Sequence, residues 1–274
     1  MKTLLTTRAS IYYAMNGWHK VLKALPPAFG PRLVFLSVDR GDNIRLVIFS
    51  ADEKAKADLS AYLTQFLLQY PSSNPEVVFQ PGKSLWMNYE NNTFQFNNFG
   101  ILRFTNEDDP ALKYCKALSN YIIQNVADEE ITPGDILNHA IFLVINLIRL
   151  FEKDHQAAIP ELAIGFIIKE YELSENASIL PVINAQVLED YPDNKETIHE
   201  CYYSEDDVDV YLQEVVLYAN QVKTTAGTRG EEQGWCFYLL INLLNNHLGI
   251  TPGNGIYVLS LLNNYFKESS VINA

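Results

Sequence analysis

The chain has 274 residues, of which 48% are hydrophobic, and a formal net charge of −13 at pH 7. This length and apolar content suffice for one large domain or two small ones. An acidic surface disfavours binding to nucleic acid or to an anionic membrane, because phosphates require a basic patch. The composition is compatible with a soluble enzyme or with a protein that has a basic partner.

Metal and nucleotide chemistry find little support in the sequence. Cys115, Cys201 and Cys236 lie far apart and outside any Cys-x-x-Cys or Cys/His cluster, so we predict no metal site. Walker, Rossmann, HExxH and Gly-x-Ser-x-Gly motifs are also missing, so we predict no cofactor. The apolar stretch 140–150 is too short to cross a bilayer, and residues 1–10 are too polar for a signal sequence. We therefore expect a cytoplasmic protein.

The region up to about residue 105 is dominated by patterns of short β-strands. A helix at 18–25 is predicted to end at Pro26-Pro27, and a second helix at 52–70 has apolar residues at helical spacing. The two most apolar strands flank the turn-forming sequence DRGDN, which predicts an antiparallel hairpin in the middle of a sheet. The strands are predicted at 10–15, 33–38, 44–49, 77–80, 85–89, 93–96 and 101–104.

The second half of the chain is predominantly helical. Gly249 is placed as the residue after a helix C-terminus, and Thr251-Pro252 as the start of the last helix. Residues 178–201 are predicted to be irregular. Helices are predicted at about 107–126, 132–154 with Thr132 as cap, 159–172, 210–223, 235–248 and 255–266.

Together these patterns predict an α+β fold. It has a mixed, mainly antiparallel sheet of short strands in the first 105 or so residues and a largely helical second half. We expect a single domain over residues 1–274, with its β-rich part at about 1–105 and its helical part at about 106–274.

Two sets of polar residues interrupt apolar elements and are candidates for a cleft. Arg45 and Asn43 share one face of a predicted strand. A buried guanidinium must pair with a carboxylate, bind backbone carbonyls, or bind an anionic ligand, unless it extends to water. In the penultimate helix, Asn242 and Asn246 are four residues apart, and His247 follows them. These side chains either satisfy the helix end before Gly249 or line a cleft.

Three short segments resemble motifs of one family. Residues 41–48 (GDNIRLVI) are similar to a Gly-Pro-His-Leu-Arg-Leu-Arg strand, and residues 246–252 (NHLGITP) to an Asn-Arg-Leu-Gly-Leu-x-Pro turn. Residues 97–100 (NNFG) are similar to part of a Glu-Arg-Tyr-Gly-Gly segment. With the order of elements, these motifs resemble the thiopeptide-type bacteriocin biosynthesis domain. This domain forms the C-terminal elimination part of lantibiotic dehydratases and includes the thiopeptide pyridine synthases.

The resemblance implies a function in ribosomal-peptide natural product biosynthesis. In this family, arginines recognise a glutamate esterified to Ser or Thr, an α-proton is removed, and glutamate leaves. The resemblance assigns catalytic roles to Arg45 and His247, and substrate-binding roles to Asn43, Asn98, Asn242 and Asn246. Tyr89, Arg229, Glu231 and Glu232 are possible supplements from nearby loops.

The sequence departs from the family at most of its cationic positions. The second strand arginine falls at Val47, the preceding histidine at Asn43, the arginine of the third motif at Asn98, and the helical histidine at Asn242. Two hypotheses follow. The chain is either a lyase-like enzyme that acts on a modified precursor peptide by glutamate elimination or related chemistry, or a non-catalytic module. Such a module would bind the precursor peptide or a separate glutamylating dehydratase subunit, and oligomers are possible in either case.

Overall fold

The structure is a computed structural model, and it describes residues 6–13, 18–29, 33–39, 43–49, 53–72, 91–96, 106–127, 131–171, 173, 179–203, 209–227, 234, 239–240 and 242–272. The chain is α+β and rich in helix. Its contacts group it into two compact units, Met1–Ile131 and Thr132–Ala274. The assignment of the whole chain to a single domain stays a prediction.

The first unit contains a sheet whose described strands follow the order β2-β3-β1-β4. All three pairings are antiparallel. The interior position predicted for the second hairpin strand is confirmed, whereas β2 ends the order of the described strands. The strands are β1 (Thr6–Tyr12), β2 (Leu33–Asp39), β3 (Asn43–Phe49) and β4 (Thr93–Phe96). The strands predicted at 77–80, 85–89 and 101–104 lie outside the described residues.

The register gives this sheet an apolar face and an opposite face that contains a polar row; we call the latter the polar face, although Val47 and Phe35 also belong to it. Directly opposed residues project from the same face of an antiparallel pair, and successive residues alternate between faces. Two rows across the strands are apolar: Val38, Ile44, Ile11, Phe94 and Leu36, Leu46, Ala9, Phe96. The row between them is polar throughout: Ser37, Arg45, Ser10, Gln95. Within β1, both Ile11 and Ser10 are buried, so this strand is covered on both faces.

Helices of the first unit pack against this sheet. They are α1 (Trp18–Phe29), α2 (Glu53–Gln69) and α3 (Pro110–Tyr121), and α3 continues as a π-helical turn, π1 (Ile122–Val126). Leu59 and Leu63 form the fully buried stripe predicted for α2. The prediction that α1 ends at Pro26-Pro27 is wrong, because α1 extends to Phe29. The fixed φ of proline lies in the helical range, and tertiary packing offsets the amide hydrogen bonds that the prolines cannot donate. The helix therefore continues through both prolines for one more turn.

All secondary-structure elements described in the second unit are helices. Its core is built from fully buried side chains of α4 and α9, and α9 packs against α4, α6 and α7. Among the described residues, no helix combines the length and apolar character that a membrane span requires. The helices are α4 (Pro133–Ile148), α5 (Lys153–Gln156), α6 (Ala158–Glu170), α7 (Ile179–Tyr203), α8 (Val210–Gly227), π2 (Asn242–His247) and α9 (Pro252–Ile272).

Two predictions for this unit need correction. Residues 178–201 are not irregular, because α7 occupies nearly all of them and buries Val187, Tyr191 and Ile198. Its interior Pro192 concealed the helix, although tertiary packing offsets the lost amide hydrogen bond. The helix predicted over 132–154 ends at Ile148 and resumes as the short α5.

The predicted start of α4 is confirmed in detail. Thr132 is the N-cap and Pro133 the first helical residue. The Thr132 hydroxyl accepts from Asp135 N at 3.2 Å, and Asp135 Oδ2 accepts from Thr132 N at 2.8 Å. This reciprocal capping box satisfies amides that the first turn would otherwise leave unpaired.

Candidate functional site

The first candidate site is the polar face of the sheet. The register sets Arg45 between Ser37 of β2 and Ser10 of β1, and Ser10 is 3% exposed. Asn43 lies two residues earlier and so on the same face, as predicted. Asn98, Tyr89, Arg229, Glu231 and Glu232 lie outside the described residues, so the cleft that would join them to Arg45 stays a prediction.

A second arginine belongs to this face, and the sequence alone did not reveal it. Arg8 of β1 is opposite Val47 of β3 and two residues from Ser10, so it shares the face of Arg45 in the neighbouring row. Arg8 is half-buried, and its Nε atom is fully buried. The first strand was predicted to begin at residue 10, whereas it begins at Thr6. The alternation of TTRASIY with β3 could have identified Arg8 once their pairing was known.

The Asn-rich segment of the second unit adopts π-helical geometry, whereas an α-helix was predicted. Asn242 and His247 are the first and last residues of π2, and His247 is fully buried. Asn245, just before Asn246, donates from Nδ2 to the Tyr171 hydroxyl at 2.6 Å. Because a π-helix bonds each amide to the carbonyl five residues back, the common face expected for Asn242 and Asn246 stays a prediction.

The turn after π2 has the predicted form. Gly249 has a φ of 63°, in the left-handed region that favours glycine. Leu248 N donates to Leu243 O at 3.0 Å, and Ile250 N to Leu244 O at 2.7 Å. Thr251 then caps α9 by accepting at Oγ1 from Asn254 N at 3.3 Å. Local chemistry thus fixes the exit from π2, immediately after the buried His247.

The second unit also contains an aromatic pocket of about 580 Å³, which the sequence did not predict. This volume lies within the range of small-molecule and side-chain binding sites. The pocket is formed where the end of α4, α5, the end of α7 and the end of α9 meet. Its lining consists of Arg149, Phe151, Glu152, Lys153, Gln156, Ala157, Tyr202, Tyr203, Tyr265, Phe266 and Ser269.

Hydrogen bonds hold the hydroxyl groups of this aromatic pocket. Tyr202 donates from its hydroxyl to Gln156 Oε1 at 2.5 Å, and the Tyr265 hydroxyl lies 2.8 Å from His199 Nδ1. Burial raises the pKa of Tyr202 and of Tyr265, so both phenols are neutral at physiological pH. The pocket can therefore offer neutral hydroxyl groups together with the charges of Arg149, Lys153 and Glu152.

The fold places the chain in a class of helix-rich α+β proteins whose antiparallel sheet is followed by a helical unit. It is shared with a solved enzyme, "Pyridine synthase, TbtD, from thiomuracin biosynthesis", at a TM-score of 0.66. The match covers 97% of this chain and 99% of that chain, with 15% sequence identity. No protein-family profile and no curated protein matches the sequence. At this identity the likeness shows that the two chains share a fold.

Proposed function

We propose that the chain acts on a modified precursor peptide in the biosynthesis of a ribosomal-peptide natural product. The observation that carries this proposal is the shared fold with a thiomuracin pyridine synthase over nearly the full length of both chains. The reaction that best fits the sequence is glutamate elimination or a related step, as in the C-terminal domain of lantibiotic dehydratases. The remaining partner in that pathway would be a separate glutamylating subunit in the cytoplasm.

The polar sheet face supports this chemistry by its two arginines. A guanidinium binds a carboxylate through two parallel hydrogen bonds, so Arg45 is suited to hold the glutamyl carboxylate. Arg8 stands opposite Val47, where the family motif has its second strand arginine. The adjacent strand thus carries a cation opposite the position at which β3 lacks one. The loss of an arginine at position 47 therefore argues less strongly against an anion-binding site on this face.

In the proposed elimination, a base removes the α-proton of the modified Ser or Thr residue. The electrons of the broken C–H bond form the Cα–Cβ double bond, and the ester oxygen leaves with glutamate as its carboxylate. A cation near the substrate carbonyl stabilises the developing enolate. His247 is the candidate for proton transfer. Because its imidazole is fully buried, it could exchange a proton only with a substrate group that the protein also encloses.

A non-catalytic peptide-binding or subunit-binding module is the second candidate. The replacement of family cations by Asn98 and Asn242 favours it, because a neutral amide binds a carboxylate more weakly. This candidate predicts that the chain binds a precursor peptide or a dehydratase subunit without changing it covalently. The two functions therefore differ in whether a product of altered mass is formed.

The test is to incubate the purified chain with a synthetic peptide that carries a glutamylated serine, and to follow its mass. Elimination yields free glutamate and a dehydroalanine peptide. Arg45→Gln and Arg8→Gln should each lower kcat/KM by roughly 10- to 150-fold, the loss expected for one charge-assisted hydrogen bond. Lys20→Gln, at an exposed position of α1, serves as the matched control. Binding without conversion would favour the second candidate, and neither binding nor conversion would refute both.

A further inference from the structure

We infer that the aromatic pocket of the second unit is a docking site for an acidic peptide segment that carries an aromatic side chain. The inference deepens the proposed function and rests on it in one respect, that the substrate is a peptide. It assigns the recognition of a non-reacting part of that substrate to the aromatic pocket.

The aromatic walls form an interlocked cluster. The Tyr202 ring lies 4.9 Å from Tyr203, 5.4 Å from Phe266 and 6.1 Å from Tyr265, measured between centroids. Tyr265 and Phe266 are 5.5 Å apart at 73°. These are edge-to-face or tilted contacts, which hold each ring in one orientation. The walls are therefore preformed, and a ligand would lose little free energy in ordering them.

The floor and the rim of the pocket differ in character. Tyr265 and Phe266 are almost fully buried, and Gln156 is 5% exposed. Tyr203, in contrast, is 56% exposed and presents its ring at the rim. An aromatic side chain entering between them would be covered on the floor side and stack against Tyr203 on the open side. A buried aromatic anchor with a more exposed rim is the usual anatomy of a peptide-binding site.

The charges at the rim indicate an acidic partner. The pocket lining contains two cationic side chains, Arg149 and Lys153, and one carboxylate, Glu152. This local excess of positive charge contrasts with the net charge of −13 for the whole chain. Both cations are exposed, and among the residues whose side chains the structure describes, no carboxylate lies within 4.0 Å of the Arg149 guanidinium or the Lys153 ammonium. Because the neighbouring phenols stay neutral, the local charge favours acidic residues beside the anchor.

The test is fluorescence anisotropy with a labelled peptide amide, Gly-Ser-Asp-Phe-Asp-Ser-Gly. Two matched probes replace both Asp residues by Asn, or the Phe by Ala. The acidic aromatic probe should bind the wild-type chain at least about tenfold more tightly than either matched probe. Arg149→Gln should remove the preference for Asp over Asn, and Tyr203→Ala the preference for Phe over Ala. Lys169→Gln, at an exposed position near the end of α6, should change neither preference.

Equal binding of the three probes would overturn the inference, as would full selectivity in Arg149→Gln and Tyr203→Ala. A second copy of the chain as occupant would also overturn it, and would appear as a dimer in sedimentation that Tyr203→Ala dissociates. The probes contain no ester, so their binding does not depend on elimination. A failure here would leave the mass-based assay of the proposed function untouched, and a failure of that assay would leave peptide docking standing.

Discussion

Replacing Gly249 by alanine tests the turn that ends π2. An alanine at a φ of 63° stays in the left-handed region at a cost of about 1–2 kcal/mol. Relaxing the backbone would avoid that strain but would break the bonds from Leu248 N and Ile250 N, each worth about 0.5–1.5 kcal/mol. Keeping the strained backbone and relaxing it thus cost similar free energies, so we expect the free energy of unfolding to fall by about 1–2 kcal/mol.

Gly165 provides the matched control, because it is an exposed residue of α6. No heavy atom outside its own stretch of helix lies within 4 Å of the position that an alanine Cβ would take there. Alanine at this position should stabilise the helix by about 0.5–1 kcal/mol. Urea unfolding followed by circular dichroism should therefore separate the two variants by about 2 kcal/mol, with Gly249→Asn falling between Gly249→Ala and the wild type. A Gly249→Ala midpoint at or above that of the wild type would refute the reasoning.

Three further substitutions test other parts of the structure. Thr132→Ala removes the capping box and should cost about 1 kcal/mol in urea unfolding, whereas Thr132→Ser should keep most of it; equal losses would contradict the role of the hydroxyl. Burial lowers the pKa of His139, so the unfolded state binds its proton first and stability should fall as the pH drops below about 6.5. His139→Asn should flatten that part of the pH profile, and an unchanged profile would contradict the assignment. Leu118→Ala should cost about 2–5 kcal/mol because this side chain is fully buried, whereas Leu162→Ala, at 47% exposure, should change stability by less than about 0.5 kcal/mol; similar effects would be inconsistent with the described core.

The elements that sequence reasoning located best are those with local signals at their ends. Thr132 and Pro133 open α4, and Gly249 and Thr251 separate π2 from α9, as predicted. The apolar stripe of α2 was equally visible, because its spacing is helical throughout. Prolines misled the predictions for α1 and α7. Both helices include prolines, because packing maintains helical segments that local propensity would end.

The candidate site was predictable only in part. An arginine in an apolar strand identified Arg45, since a charge there is unusual whatever the partner strand. Arg8 was missed because its relevance depends on which residue of β3 it opposes. The aromatic pocket was missed for a similar reason: Phe151, Tyr202 and Tyr265 are separated by dozens of residues and meet only in the folded unit.

The sequence by itself determined the α+β class and the caps and turns that bound several strands and helices. Such features follow from interactions within a few residues, which the sequence displays directly. The tertiary structure alone decided that Arg8 stands opposite Val47, that the segment before Gly249 is a π-helix, and that aromatic rings from α7, α9 and the segment between α4 and α5 enclose a pocket. Register and packing depend on contacts between distant segments, and no local pattern specifies them.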